Sequence, residues 1–360
     1  MINRNSLKSV LKKIGVTRIN SISKYDDLGI YVYQTCRPDS IHLTVDSGKG
    51  RTDEEAFIAC AVEAIERFTA ENIKNRIEMI EINDPKLFIP NGKKVSRGQA
   101  SGKIGAYRGE EITSKTKVYI PTVYIDYKIP KGALSSHAFT GTTGLGAHST
   151  IEMAICSGLV ELIERDAIAN GRYEKVKQET IHQSAPWLEK ILGDRSAIYG
   201  VLRYETEWPL EVVQIICDDP YVTGGMNAMG VGKDLASAIE DAALEAMQTW
   251  LMRLAASRDD WAYSRVMDKN LFDQFINSAI EIEKEAKQEE LNEFNKKYTH
   301  EIYEILINHA KQKSKPIVAI TLESDIDIPE VKVVKVLMND MKLLRQGPMM
   351  TGIPYMPSHP

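Results

Sequence analysis

The chain has 360 residues, 43% hydrophobic and 26% charged, the balance of an ordinary globular protein with room for one large domain or two smaller ones. A formal net charge of −5 gives no electrostatic case for nucleic acid or an anionic membrane. The opening MINRNSLKSVLKKIG lacks a signal-peptide core, no apolar run approaches a membrane span, and Cys36, Cys60, Cys156 and Cys217 form no C-x-x-C pair, so a reducing cytoplasmic setting is expected, without a disulfide frame or His/Cys metal centre.

In chain order, residues 1–26 read as a helical extension and 27–345 as a single α/β (α+β) unit, with no low-complexity linker between them. Strand-like runs rich in β-branched and aromatic residues fall at 118–127, 210–219, 315–323 and 331–337. A charged amphipathic stretch at 271–313 predicts one or two exposed helices, and the proline-rich 346–360 predicts an extended, polyproline-like tail.

Within that frame one pattern occurs three times: GKGRTDEEAFIACAVEAIERFTAE from Gly48, GLGAHSTIEMAICSGLVELIERDA from Gly144, and GVGKDLASAIEDAALEAMQTWLMR from Gly230. Each copy has a G-x-G, an alanine (Ala56, Ala154, Ala238), a glutamate seven residues later (Glu63, Glu161, Glu245) and an acid or amide three further on (Glu66, Glu164, Gln248). On this alignment only the segment between the glycines and the alanine varies, by two residues in the second copy. Each copy reads as a loop followed by a helix, with Asp53, Ser149 or Thr150, and Asp234 as candidate N-caps. The alanine leaves room for a helix or ligand to approach, and the acids project from the same side two turns later.

A single E-x-x-E on a helix is ordinarily a solvated face, and Glu63/Arg67 and Glu161/Arg165 are ordinary i,i+4 pairs. Three copies with the acids in register beside alanine-rich packing faces point elsewhere. Oxygen-only donors suit Mg²⁺, which bridges a few carboxylates to nucleotide phosphates. Glycines leading into helix N-termini suit phosphate, with Lys49, Arg67 and Arg165 as further cations. The spacing is not that of a P-loop. Cys60 and Cys156 read as core, and His148 as a polar loop residue.

The segments SGKGRTDEEAFIACAVEAIER, TTGLGAHSTIEMAICSGLVELIERDA and GVGKDLASAIEDAALEAMQ resemble the three signature segments of YcaO-domain proteins, and LGIYVYQTCRP and SRDD resemble that family's standalone members. The resemblance covers about residues 27–260. It implies that ATP and Mg²⁺ are used to phosphorylate a peptide backbone amide oxygen, after which a Cys, Ser or Thr side chain closes an azoline or external sulfide gives a thioamide. It matches Ser47 and Lys49 to the phosphate-contacting loop, and Glu63, Glu66, Glu161, Glu164 and Glu245 to the metal- and nucleotide-binding acids. Gln248 matches the accompanying amide, and Arg67, Arg165 and Arg258 match arginines near the nucleotide. Glu161, Glu164 and Arg165 are the expected catalytic centre, joined by the terminal carboxylate of Pro360 as a proton acceptor. The sequence departs from the family pattern at Trp250, where standalone members often carry arginine, and in the tail, whose P-x-x-P-x-x-P differs from the P-x-P-x-P of azoline formers. Azoline formation on a ribosomally made precursor peptide is the leading expectation. Thioamide formation with a sulfur-delivering partner is the alternative, and a non-catalytic nucleotide-binding scaffold a third reading. No additional leader-docking domain is evident in the sequence, so a separate leader-binding or sulfur-delivery partner is expected, and a homodimer is possible.

Overall fold

The computed structural model describes residues 3–41, 43–90, 102–126, 141–186, 188, 198–219, 222–255, 280–282 and 299–341. Helix α1 (Arg4–Lys13) leads into β1 (Arg18–Ser21), β2 (Tyr31–Cys36) and β3 (Val45–Gly50), and these strands form an antiparallel three-stranded sheet in that order. Helix α2 (Asp53–Glu71) follows, then β4 (Ile77–Glu81), β5 (Lys103–Glu111), β6 (Thr116–Pro121) and β7 (Leu145–His148). Helix α3 (Ile151–Asn170), β8 (Tyr173–Val176), α4 (Gln178–Ser184), β9 (Ile198–Tyr204), β10 (Glu211–Asp219) and β11 (Val222–Gly232) come next. The chain then forms α5 (Leu235–Ala255), β12 (Ile280–Ile282), α6 (His300–Gln312), β13 (Ile317–Leu322) and β14 (Lys332–Met338).

A six-stranded sheet runs β4-β5-β13-β14-β7 with β6 paired to β5, and a five-stranded sheet runs β11-β10-β9-β8-β12. Among the described residues every pairing between strands is antiparallel except β12 with β8, so the mixed class is α+β rather than parallel α/β. No described helix is long and apolar enough to cross a membrane.

The three sequence repeats are strand–turn–helix units: β3–α2, β7–α3 and β11–α5. Each repeat strand lies at an edge of its own sheet, and the following helix folds back across it. Each helix also reaches the strand of the next unit: α2 meets β7, α3 meets β11, and α5 meets β3. The three units therefore close into a ring, which the regular spacing of acids along the helices turns into convergence. Apolar residues fill both sides of the strands. Leu145, Val333 and Leu337 pack with α2, while Val334 and Val336 pack with α3.

The glycines of the repeats lie in strands, not in loops. A Cβ on Gly48, Gly146 or Gly230 would overlap the backbone nitrogen of the residue twelve further on: Cys60, Gly158 and Ala242. These three glycines permit backbone-to-backbone approach of helix and strand. They also correct the alignment. Gly146, not Gly144, is the counterpart of Gly48 and Gly230, the units have equal length, and His148 stands where Gly50 and Gly232 stand. Gly144 is an additional glycine at φ +83°, beside the Val336 carbonyl and Leu162.

Other local expectations shift as well. Thr52 caps α2 in a capping box with Glu55, whereas Asp53 accepts from Arg4 at 2.6 Å and from the Tyr33 hydroxyl at 2.7 Å. Thr150 caps α3, and Asp234 Oδ1 accepts from Ser237 N at 2.7 Å ahead of α5. The run 118–127 is strand only to Pro121, then a 3-10 turn. Within 271–313, Ile280–Ile282 is a strand and α6 is docked, burying Ile302, Tyr303, Leu306, Ile307 and Ala310 in the core that contains α3. The rest of that stretch up to 298, and the tail from 342, lie outside the described residues.

Candidate functional site

The alanines that mark each repeat, Ala56, Ala154 and Ala238, are fully buried against their own strands. Two turns on, past that contact, the helices present their acids to a common cleft. Ser47 and Lys49 on β3 face α5: the Gln248 side-chain amide donates to Ser47 Oγ at 2.8 Å, and Lys49 Nζ lies 3.3 Å from Glu245 and 3.8 Å from Asp241. Arg67 stands 2.7 Å from Glu63 on the same helix and 3.1 Å from Asp46 of β3. Arg165 stands 3.8 Å from Glu161 and 3.9 Å from Glu164.

The electrostatics join the three helices into one site. Enclosure by protein, then the charges of Glu63 and Glu161, hold the Glu66 carboxyl well above the usual carboxylate range, against the pull of Arg67 and Lys335. Enclosure also raises Glu161, opposed by Arg165, by the Gly144 N–H that donates to it at 2.9 Å, and by Lys335. Although burial opposes it, Arg165 is raised by Glu161, Glu164 and Glu245, so this guanidinium feels acids from both α3 and α5. Glu161 keeps 28% of its side-chain surface exposed, so the acids line a solvent-reached cleft and not a sealed core. Asp46, almost fully buried, is pushed up to about 6, chiefly by burial and despite Arg67.

Of the residues expected from sequence, Ser47, Lys49, Glu63, Glu66, Arg67, Glu161, Glu164, Arg165, Glu245 and Gln248 all fall on this ring of strands and helices. Arg258 and Pro360 lie outside the described residues. Phosphate binding by the repeat glycines is corrected, because Gly48, Gly146 and Gly230 are closed against helix backbone and offer no open cradle. Trp250 turns away from the acids: it is 4% exposed and its indole N–H donates to Asp26 at 2.8 Å.

Three charged residues were missed. Asp46 adjoins Ser47, and Asp241 accepts from the Val231 N–H at 3.1 Å. Lys335 sits 2% exposed in β14, donating to the carbonyls of Gly141 at 2.6 Å and Thr143 at 2.8 Å. The available signal was a lysine in the middle of VKVVKVL, a run apolar on both faces of its strand.

Among the described residues no three Asp, Glu, His or Cys side chains stand close enough to hold a metal ion by themselves. Mg²⁺ carried with a nucleotide takes one or two carboxylates and completes its shell with phosphate and water. The mutual repulsion around Glu66 and Glu161 marks hard oxygen donors short of positive charge, so the residues present suit such a group.

Comparison with known proteins bears on the family and the fold. The family model for YcaO cyclodehydratase, described as ATP- and Mg²⁺-binding, matches residues 47–341. An uncharacterized protein of Methanothermobacter thermautotrophicus is 32% identical over 168 residues, 44% of this chain and 42% of that relative, so the match spans less than half of the relative's length. A protein of Rhizobium leguminosarum bv. trifolii, named for its place in the tfuA 3' region, is 26% identical over 71% of this chain and 67% of its own. The YcaO structure from Methanopyrus kandleri bound with AMPPCP and Mg²⁺ superposes with a TM-score of 0.68 at 19% identity, covering 93% of this chain and 90% of that one. A heterocyclase in complex with substrate and cofactor gives 0.68 at 18% identity, over 93% and 52% of the respective chains. The E. coli microcin synthetase McbBCD complex gives 0.63 at 13% identity, over 89% and 86%. With over half of its length matched by the family model, the chain belongs to the YcaO family.

Proposed function

We propose that the chain activates a peptide backbone amide by ATP- and Mg²⁺-dependent O-phosphorylation, so that a neighbouring Cys, Ser or Thr side chain closes an azoline. The observation that carries this reading is the convergence of Glu63, Glu66, Glu161, Glu164 and Glu245 from three helices on one cleft, where the charges of Glu63 and Glu161 bear on Glu66. Bound there with nucleotide, Mg²⁺ would neutralise phosphate charge. Glu63, Glu66, Glu161 and Glu164 would share more than one Mg²⁺, one or two carboxylates to each ion, with Glu245 and Gln248 closing the third side. Ser47 and Lys49 would orient the phosphates beside them, and Arg67 and Arg165 would offset the charge that develops on the transferred group. Cys60 and Cys156 do not serve as covalent nucleophiles, since both are fully buried and their thiols are pushed up by burial. The phosphoryl group would pass directly to the peptide, by positioning and charge neutralisation.

The family description as a cyclodehydratase and the heterocyclase among the structural neighbours support the azoline product. The microcin synthetase complex supports a partner protein, and the reading frames beside this one are the place to seek it. With an oxygen-18 label in the substrate amide, amide activation moves the label into phosphate; a label kept in the peptide rejects it. Mass then reads the product: loss of one water indicates an azoline, and exchange of oxygen for sulfur a thioamide.

A further inference from the structure

The ring has a fourth, hidden element. In each unit the repeat strand pairs with a neighbouring strand, and the residue just before the packing glycine faces one position on that neighbour. Ser47 faces Gln34, Leu145 faces Lys335, and Met229 faces Gln214. All three facing residues are polar and all are buried, at 3%, 2% and 4% exposure respectively. Strand alternation sends each toward the helix of the preceding unit. Val32 packs with α5 on the Gln34 side, Val333 and Leu337 pack with α2 on the Lys335 side, and Val212 and Ile216 pack with α3 on the Gln214 side.

Two of these equivalent positions carry a neutral amide and one carries a cation. A glutamine thus suffices to fill the site sterically and to hydrogen-bond, as Gln214 does in accepting from the Tyr204 hydroxyl at 2.7 Å. A buried lysine is the costlier choice, for burial drags its pKa down to about 8, and Glu161 and then Glu66 pull it back. Lys335 spends two of its three donors on the Gly141 and Thr143 carbonyls. Those carbonyls belong to the turn whose Gly144 N–H holds Glu161 at 2.9 Å and whose Gly144 carbonyl accepts from Val336 N at 2.7 Å.

We propose that Lys335 is a positioning residue that serves as the resident counter-ion of the acid ring, fixing the 141–144 turn against Glu161 and setting how strongly the ring attracts Mg²⁺. This rests on the Mg²⁺–nucleotide reading of the same cleft. Lys335 neutralises part of the charge on Glu66 and Glu161 when the cleft holds no metal, and it opposes an entering cation by the same charge. Its sister positions are neutral, and the acids on α5 and α3 have one cation each beside them, Lys49 and Arg165; the acids on α2 have Arg67, so Lys335 is a second cation on that side.

The test is Lys335→Gln, the residue type that the other two units use, with Lys335→Arg as the charge-keeping companion. Each is titrated with Mg²⁺ at saturating non-hydrolysable ATP analogue, read by calorimetry, and each is melted without metal. Lys335→Gln should lower the Mg²⁺ midpoint on the order of tenfold, since one opposing charge is gone, and should melt earlier without metal. Lys335→Arg should keep the wild-type midpoint. A raised or unchanged midpoint in a folded Lys335→Gln protein overturns the proposal and leaves Lys335 a turn staple. Should the glutamine variant not fold, the arginine variant decides, and a midpoint displaced from wild type overturns the proposal. If wild-type protein binds the analogue equally with and without Mg²⁺, the nucleotide reading itself fails, and the proposal with it.

Discussion

Two groups of buried or enclosed charge sit at different heights along α2 and are handled in opposite ways. Near its C-terminus Arg37 and Glu71, each 2% exposed, form a 2.6 Å ion pair, and the other Glu71 oxygen accepts from Ser40 Oγ at 2.8 Å and Ile41 N at 3.2 Å. In the cleft, Glu63, Glu66 and Glu161 face one another and draw on Arg67, Arg165 and Lys335 for partial compensation. The first arrangement is closed, with one charge of each sign paired inside the chain. The second gathers Glu63, Glu66, Glu161, Glu164 and Glu245 against Lys49, Arg67, Arg165 and Lys335, which leaves an excess of acid in the cleft. Charge in the closed pair is matched locally, whereas charge in the cleft is left short.

The largest effect expected from breaking this contrast is on turnover. Glu161→Gln keeps an oxygen to accept the Gly144 N–H but removes the charge, so activity should fall on the order of a hundredfold or more. Because Glu161 sits above the normal carboxylate range, losing its charge should not lower the melting temperature of metal-free protein. Rate assays paired with melting check this; a clear fall in melting temperature would place Glu161 with the structural pairs.

Arg37→Ala should do the reverse. It strands Glu71 in the core and should cost about 3–5 kcal/mol of stability. The protein still folded should bind Mg²⁺–nucleotide with unchanged affinity. Chemical denaturation and calorimetry separate the two effects, and a matching loss of nucleotide affinity would tie this pair to the cleft.

Asp46 lies between the two groups, feeling Arg67 and Glu63 on one side and Arg37 and Glu71 on the other. Its pKa is raised from 3.8 to about 6, so the folded state holds the proton more tightly than the unfolded chain. The stability this contributes is present at low pH and lost as pH rises from about 4 through about 6, worth about 3 kcal/mol in full. Asp46→Asn should flatten that part of the metal-free stability profile. An unaltered slope between these pH values would assign it to Glu66 and Glu161 instead.

How much of this could be read from the chain differs between the helices and the strands. The acids announced themselves because all three members of each unit lie on one continuous helix, where spacing is geometry. The glycine register was misplaced by two residues because Gly144-x-Gly146 mimics the G-x-G of the other copies, although Gly146 alone packs against the helix. The buried trio Gln34, Gln214 and Lys335 was invisible for a topological reason. In the first and third units the facing strand is the neighbouring arm of a hairpin, but in the second it is β14, near the other end of the described chain. Pairing that distant leaves no periodic trace. Asp53 and Thr52 were exchanged as caps because both residue types suit the position, and Arg4 claims the aspartate.

The smallest expected effect separates Trp250 from the cleft. Family resemblance sets an arginine at this position near the nucleotide, yet the indole lies in the core of α5, packed with Met247 and Leu251, and its N–H reaches Asp26 beside the short 3-10 turn at Ser23–Tyr25. The bond ties α5 to the segment that leads into β2, and hence to the strand that pairs with β3. Trp250→Phe keeps most of the aromatic bulk and deletes the donor, so it should cost about 1 kcal/mol, a drop in melting temperature of a few degrees at most. The KM for ATP should stay at the wild-type value, because no atom of the side chain need approach the acids. A several-fold rise in that KM without a change in melting temperature would return Trp250 to the nucleotide site and make the strut incidental.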